Sequence, residues 1–449
     1  MVKESLFTVL IKEGLNRFKI HYDWRTDQSV LYSGKEWDDD IQWHEFNKPF
    51  TIFSPLTRDA RFCNDRETRG LFEKYGLMDY LDTVIDLMRK GRHILLDGYY
   101  WKRKDIRFIC HVHSITCGIN NRSQAVVMGG IRRHEPEEKE INVIIDGMNL
   151  ARGMSFKNIA AQVPCGGCKS TVQAKPVDLN DLDEVGFLAY ANDRCRNTTG
   201  PDMRYPSELA DVVKKHFSLG FAGAARGPLG PSGGPTAHGT YHAMKQAAKF
   251  VFGSDSLKEK IIAVQGLGAV GYALSEYLIQ EGARLIVCDP DEKLTRDLKE
   301  RHPEASIEVV DAEEIYYVDA HILSPSAMGG IITKERIPRM KFKIILGGAN
   351  NQLKASSQEE EYELARELEK AGITFQIAWW HNIGGVMSGY EEYIKQEEAD
   401  IKILLAKIEE ICRDQTWSNL NRAKELGITP TEMAYKTVED KIYKTTGSP

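Results

Sequence analysis

The stretch PCGGCKST, residues 164–171, sets Lys169 behind two glycines and beside Cys165 and Cys168. Two chemistries fit it. A lysine held away from water gives up its charge easily and then acts as a base or a nucleophile. Two cysteines at Cys-x-x-Cys spacing can ligate a metal or cycle between thiol and disulfide. His111 and His113 would be the further ligands in the metal reading. A structural zinc site ordinarily draws on a second pair at knuckle spacing, which the sequence lacks. The cysteines are therefore expected to pack as thiols filling a tight turn, and no metal is expected.

A second chemistry lies downstream. KIIAVQ (260–265) is a short apolar run of the buried parallel-strand kind. GLGAVG follows, with Gly266, Gly268 and Gly271 at G-x-G-x-x-G spacing around Ala269 and Val270, then a helical stretch, YALSEYLIQEGA, and a second strand, RLIVCD, ending in Asp289. Glycines here permit a tight turn, close backbone approach to a pyrophosphate and close helix–strand packing, and the helix N-terminus faces the phosphates. The motif alone is weak, but strand, glycines, helix, strand and acid in order predict a Rossmann-type dinucleotide-binding domain. Asp289 would accept hydrogen bonds from the ribose hydroxyls and repel a 2′-phosphate. That favours NAD over NADP, although Arg284 and Lys293 lie nearby in sequence.

These residues need elements to hold them. At 449 residues the chain is too long for one core, and two domains are expected. Residues 1–95 read as short strands and loops with a helix over 80–91. RFICHVHSITCGI (107–119) alternates as a strand does, and 141–162 repeats apolar residues at helical spacing, with Met148, Ala151 and Ser155 suited to close packing. Gly and Pro crowd residues 220–239, which reads as irregular chain and the main boundary, with a helix beginning at its end. A net charge of −6 with mixed signs gives no case for nucleic acid or an anionic membrane, and 42% hydrophobic residues without a long apolar run give none for a membrane span. The N-terminus carries acids and lysines within its apolar part, unlike a secretory signal. Eight cysteines scattered through a long chain suit free thiols and a cytoplasmic setting.

Three segments, GMNLARGMSFKNIAAQVPCGGCK, PTAHGTYHAMKQAAKFVFGSDSLKEKIIAVQGLGAVG and LGGANNQLK, together resemble the Glu/Leu/Phe/Val dehydrogenases, most closely the leucine and phenylalanine branch. The likeness runs from about residue 107 to the C-terminus. It implies an α/β protein: a substrate domain with a mixed sheet and a Rossmann domain, with a cleft between them. By this reading residues 1–100 are an N-terminal extension joined to the substrate domain at 101–229. The NAD-binding domain spans 230–385, and helices over 386–449 pack back toward the substrate domain. The resemblance implies oxidative deamination of an L-amino acid to a 2-oxo acid and ammonia, the reverse amination, and a homo-oligomer.

Residue by residue, it puts Lys169 on the catalytic lysine, Asp202 on the catalytic aspartate and Lys157 on the lysine that holds the substrate carboxylate. Gly129 and Gly130 match the glycine pair against the substrate. Asn350 matches the asparagine that seats the carboxylate near the cofactor, and Thr236 the threonine that holds the nicotinamide amide. Met128, Gly200, Val386 and Gly389 fall on positions that contact the side chain. None is a lysine, and glycine stands at 389 where a glutamate enzyme offers serine. A bulky neutral or aromatic side chain is expected.

The segment DMRYP departs from the family in carrying Arg204 where glycine is usual, and the loop before Thr236 is about two residues short. A lysine is ordinarily charged, with a pKa near 10.4; a second ammonium and a dry site lower that. Lys157 is expected to supply the second ammonium for Lys169. Taken singly, Lys157 reads as a surface charge and Asp202 as a turn residue. Trp379 and Trp380 read as packing residues. Rival readings are a specialised relative acting on an unusual amino or oxo acid, and a non-catalytic NAD-binding regulatory protein.

Overall fold

The computed structural model describes residues 4–45, 55–115, 127–200, 202, 204–217, 220–223 and 226–444. The chain divides into two compact units, each drawn from several segments. The first comprises residues 1–158, 164–230 and 389–399; the second comprises 159–163, 231–388 and 400–449.

The first unit is built on a mixed sheet. Its strands among the described residues are β1 (Arg17–Asp23), β2 (Gln28–Lys35), β3 (Arg61–Cys63), β4 (Leu95–Trp101), β5 (Ile106–Val112), β6 (Val127–Met128), β7 (Ile131–His134), β8 (Gly166–Gln173) and β9 (Asn197–Thr198). The order is β3-β2-β1-β4-β5-β8-β6-β9, with β7 also on β8. Pairing is antiparallel from β3 through to β8, whereas β6 and β7 lie parallel to β8 on its other edge. Both faces are covered. Phe108, Cys110 and Val112 join a core with Trp37, Trp43 and the helix Leu182–Arg194. Ile109 joins the opposite core with Phe7, Leu81 and Ile144. That is the period-two alternation of a strand buried on both sides. The expected strand thus forms over 106–112, while 116–119 lie outside the described residues.

The N-terminal region holds more regular structure than its sequence suggests. Besides β1–β4 it carries the helices Phe7–Glu13, Asp65–Lys74 and Met78–Gly91. Asn64 caps the second of these with a capping box to Glu67.

The second unit contains a parallel sheet of β10 (Ile261–Gln265), β11 (Arg284–Cys288), β12 (Ile307–Val309), β13 (Ile322–Pro325), β14 (Ile344–Ile345) and β15 (Thr374–Phe375). Its order, β12-β11-β10-β13-β14-β15, reverses direction at β10, the Rossmann arrangement whose crevice receives dinucleotides. The helix expected near residue 236 begins earlier, at Gly233, inside the Gly/Pro-rich stretch read as irregular. Pro235 is tolerated because first-turn N–H groups need no intrahelical partner. Glycine at 233 is needed because a Cβ there would sit 2.8 Å from the Ala269 Cβ. The helices Ile401–Leu426 and Pro430–Glu439, read from sequence as returning toward the substrate domain, group with the second unit; only 389–399 group with the first. Trp379 and Trp380 are buried there as packing residues, Trp379 against Tyr435 and Trp380 with its Nε1 donating to the Gln415 carbonyl at 3.1 Å.

Candidate active site

Lys169 stands in the middle of β8, opposite His111 of β5. On its other edge the partner chain breaks. Val127 and Met128 pair with Gly166 and Gly167, and Ile131 resumes pairing at Ser170. Gly129 and Gly130 fill the break. A Cβ at Gly129 would lie 1.7 Å from the Cys168 carbonyl oxygen, so no other residue can approach β8 this closely. A Cβ at Gly130 would lie 3.0 Å from the Lys169 Nζ and 3.1 Å from the Asp202 Cβ. The glycine pair therefore provides the space in which the lysine and the aspartate meet.

Lys169 is 4% exposed, and its Nζ donates to the Asp202 carboxylate. Asp202 is also 3.4 Å from Arg132 Nη2. Arg132 in turn grips Asp146 at 3.1 and 3.2 Å, and Asp146 lies 3.3 Å from His134 Nε2. Arg132 and Asp146 were not singled out in the sequence. Burial lowers the Lys169 pKa, Asp202 opposes that, and Arg132 adds a like charge that lowers it further. Arg132 is a neighbouring cation at Lys169 besides the expected Lys157. Lys157, half-buried at the end of the helix Glu140–Ala160, is pushed down to about 8, by burial first, with Asp202 opposing and Lys169 adding. Two carboxylates, Asp202 and Asp146, stand against three cations, and burial weakens the charge on the two lysines.

Replacing Arg132 by glutamine should raise the Lys169 pKa on every count. A like charge goes, Asp202 no longer shares its carboxylate with Arg132, and Asp146 loses the guanidinium that partly neutralises it. A base needs the neutral amine, so the acid limb of the kcat/KM profile should move to higher pH. A limb that stays in place would remove Arg132 from this role.

The helix that carries Lys157 is set against the sheet by small residues. A Cβ at Gly147 would meet the His111 ring at 2.3 Å, and one at Gly167 would meet the Ser155 nitrogen at 2.1 Å. Asn158 Nδ2 donates to the Gly166 carbonyl at 2.9 Å. Gly166 and Gly167 thus begin a strand under a crossing helix; they do not form the tight turn expected around the cysteines. Cys168 is wholly buried, its Sγ donating to Asn197 Oδ1 at 3.0 Å. Burial pushes the Cys165 thiol up to about 12, which leaves it protonated and unreactive. Arg204 sits at φ 64°, a left-handed conformation that explains why glycine suits this position. Its side chain is half exposed and lies 3.5 Å from Glu135.

Met128, Gly200 and Gly389 gather around Ala222, a residue the sequence did not flag. A Cβ at Gly389 would lie 3.2 Å from Met128 Cε and 3.6 Å from Ala222 Cβ, and one at Gly200 would lie 3.0 Å from the Ala222 carbonyl oxygen. Val386 precedes Gly389 in the same helix but belongs to the second unit.

In the second unit each motif glycine has a separate reason. Gly266 has φ 91°. A Cβ at Gly271 would lie 1.9 Å from the Gly266 carbonyl oxygen. At Gly268 a Cβ would meet nothing within 4 Å, and the residue is exposed where the helix Ala269–Gln280 begins. Ala269 beside it is exposed and Val270 half-buried, so the first-turn N–H groups are open to a pyrophosphate. Asp289 accepts from the Leu267 and Asp291 amides at 2.7 and 2.8 Å, which fixes its carboxylate beside the glycine loop. Arg284 and Lys293 are both exposed. Thr236 Oγ1 donates to the Ser232 carbonyl and accepts from the Gly385 amide. Asn350 is exposed, and its Oδ1 accepts from Asn382 Nδ2 at 2.8 Å. These residues fit a nicotinamide dinucleotide.

Comparison with known proteins agrees with both units. The family model described as Glutamate/Leucine/Phenylalanine/Valine dehydrogenase matches residues 232–446. A leucine dehydrogenase of Thermoactinomyces intermedius is 33% identical over 369 residues, covering 80% of this chain and 93% of that protein. A phenylalanine dehydrogenase of Lysinibacillus sphaericus is 32% identical over 346 residues, covering 75% and 85%. The crystal structure of L-tryptophan dehydrogenase from Nostoc punctiforme is 28% identical, with a TM-score of 0.65 over 80% of this chain and 99% of that one. A hetero-hexameric glutamate dehydrogenase from Thermus thermophilus, 18% identical with a TM-score of 0.58, shares the fold. The chain therefore belongs to the Glu/Leu/Phe/Val dehydrogenase family, oxidoreductases that act on amino acids.

Proposed function

We propose that this enzyme catalyses NAD-dependent oxidative deamination of a large neutral or aromatic L-amino acid, and the reverse amination, with Lys169 as general base. The observation that carries the reading is the buried Lys169–Asp202 pair set in the Gly129–Gly130 break. When bound, the nicotinamide supplies the acceptor for the substrate's Cα hydride. The protein must do the rest. Lys157 holds the substrate carboxylate as a point charge. Lys169, whose pKa burial lowers, takes in its neutral form a proton from the substrate ammonium, so that the nitrogen lone pair can form the C=N bond as the hydride departs. Once Asp202 has taken that proton on, Lys169 takes another from the water that adds to that carbon. Asp202 relays protons to and from Lys169, and ammonia leaves with one of them as the C=O bond forms.

Two features support a large side chain. Glycine at 200 and 389 adds no side chain to the lining beside Ala222 and Met128, which already stand 3.0 and 3.2 Å from where a Cβ would be. Arg204 pairs with Glu135 and so offers no ready partner for a γ-carboxylate. Ammonium-dependent NADH oxidation across a panel of 2-oxo acids tests the reading. Best activity with the leucine, phenylalanine or tryptophan analogues is expected. Best activity with 2-oxoglutarate overturns the pocket reading, and no activity with any of them overturns the function. Gly389→Val should shift kcat/KM toward smaller side chains, because its Cβ already reaches Met128.

Cofactor choice follows from Asp289. Asp289→Ala should lower kcat/KM for NAD by about 10-fold or more, on the order of two lost hydrogen bonds, and improve the ratio for NADP. Equal use of both cofactors by the unmodified enzyme contradicts the assignment. We further propose a homo-oligomer working in the cytoplasm. Among the described residues no helix is long and apolar enough to cross a membrane. Sedimentation as a monomer alone would remove the oligomer.

A further inference from the structure

We propose that His238, His242 and Glu409 form a binding site for one divalent transition cation of the zinc or cobalt class, joining two long helices of the second unit. His238 and His242 are four residues apart on the helix Gly233–Phe252, and so share a face. Glu409 comes from the helix Ile401–Leu426. One donor atom from each of the three lies within 4.8 Å of the others. The His242 Nδ1–Glu409 Oε1 pair is 3.5 Å apart, and the imidazole centroids are 4.5 Å apart. A four-coordinate ion with bonds of about 2.0–2.1 Å sets its ligand atoms roughly 3.4 Å apart. One pair already has that spacing, and a side-chain rotation brings in the third.

The second observation is polar and independent of the spacing. Both ring nitrogens of His238 and the Nδ1 of His242 are buried without a hydrogen bond. Buried polar atoms are ordinarily satisfied; with one His238 nitrogen turned to the Leu405 carbonyl, the other and the His242 Nδ1, 3.5 Å from Glu409, make a demand that a cation meets. The Leu405 carbonyl faces the His238 ring closely enough to favour its N–H form, the outer contact that orients a ligating imidazole. Two imidazoles and one carboxylate select zinc, cobalt or nickel over magnesium and calcium, which prefer oxygen alone. Arg413, 3.4 Å from Glu409, and Lys245 oppose a cation. Arg413 is 39% exposed and can turn outward, and Glu409 is equally exposed, which leaves a route for the ion and a water as fourth ligand. The site is separate from Cys165 and Cys168, and it takes no part in the amino acid chemistry; its effect is to tie the helices.

The test titrates Co²⁺ into the chelator-treated full chain, following visible absorption and thermal unfolding. The unmodified protein, Glu409→Gln and the double variant His238→Gln/His242→Gln are compared. The expected result is one Co²⁺ per chain and a Tm raised by several degrees at saturating metal. Glu409→Gln should bind at least about tenfold more weakly, and the double variant should show neither binding nor the Tm shift. Glu409→Gln changes a part-exposed side chain to its isostere, so it tests the site even if the double variant fails to fold; dehydrogenase activity without metal reports folding. Binding or a Tm shift equal to that of the unmodified protein in Glu409→Gln would overturn the proposal, as would thiolate absorption in place of imidazole–carboxylate bands, or no Co²⁺ bound by the unmodified chain.

Discussion

Lys169→Ala is expected to lower kcat for deamination by about 10²–10⁴-fold, the range a positioned general base supplies, while dinucleotide binding stays unchanged. The loss follows from where the lysine sits. Its Nζ occupies the space above Gly130 and donates to the Asp202 carboxylate. Arg132, 3.4 Å from the Asp202 carboxylate, cannot accept a proton at working pH and so does not replace the lysine. Lys157 would also lose a like charge, so its pKa should rise from about 8 and it should be less able to substitute as a base. Folding should survive, because the change removes a buried ammonium and leaves the strand backbone as it was. A small exogenous amine should restore part of the rate. Near-normal kcat in the alanine variant, with dinucleotide binding intact, would reassign the base, and Lys157 would then be the candidate.

The parts of this site that the sequence made legible are those fixed by backbone geometry over short spans. Glycines at 266 and 271, and at 129 and 130, are set by what a Cβ would strike, and that requirement leaves a spacing that can be read directly. Lys169 could be read beside its glycines for the same reason. The charge ladder could not. Arg132 meets Asp146 14 positions on and Asp202 70 positions on, and only folding of the sheet brings them together. The resemblance supplied Lys157 as a like charge near Lys169, and Arg132 adds a second that only the folded sheet reveals. The tight-turn reading of the cysteines failed similarly: Gly166 and Gly167 serve a helix crossing at Ser155, a contact no local pattern encodes. The helix over 65–74 was passed over although its Asn64-to-Glu67 capping signature was present. His238 and His242 stood four apart in a segment read as helical; the missing information was Glu409, from a helix far along the chain. Propensity and spacing thus recovered the Rossmann half well, since its βαβ units are local. The mixed sheet was recovered less well, because its β1–β4 pairings join distant strands of unremarkable sequence.

Gly271→Ala should produce the opposite lesion, weakening dinucleotide binding by about 100-fold or more, close to 3 kcal/mol, with Lys169 and Asp202 untouched. The added Cβ would lie 1.9 Å from the Gly266 carbonyl oxygen and 3.0 Å from its carbon, with the Ser326 Cβ at 3.1 Å behind it. Both nearest atoms are backbone, so no rotamer change relieves the clash. Either the Gly266–Gly268 turn or the start of the helix Ala269–Gln280 must move. Moving the turn displaces Leu267, whose amide holds the Asp289 carboxylate at 2.7 Å. Moving the helix swings its first-turn N–H groups away from the open face at Gly268 where a pyrophosphate would rest. Both responses cost dinucleotide affinity, and neither reaches the base. Dinucleotide titration by fluorescence measures the loss, and kcat extrapolated to saturating cofactor separates it from chemistry. A variant with unchanged affinity would show that this loop does not hold the pyrophosphate. One whose saturated kcat fell as far as that of Lys169→Ala would show that the loop and the lysine do not act as separate parts.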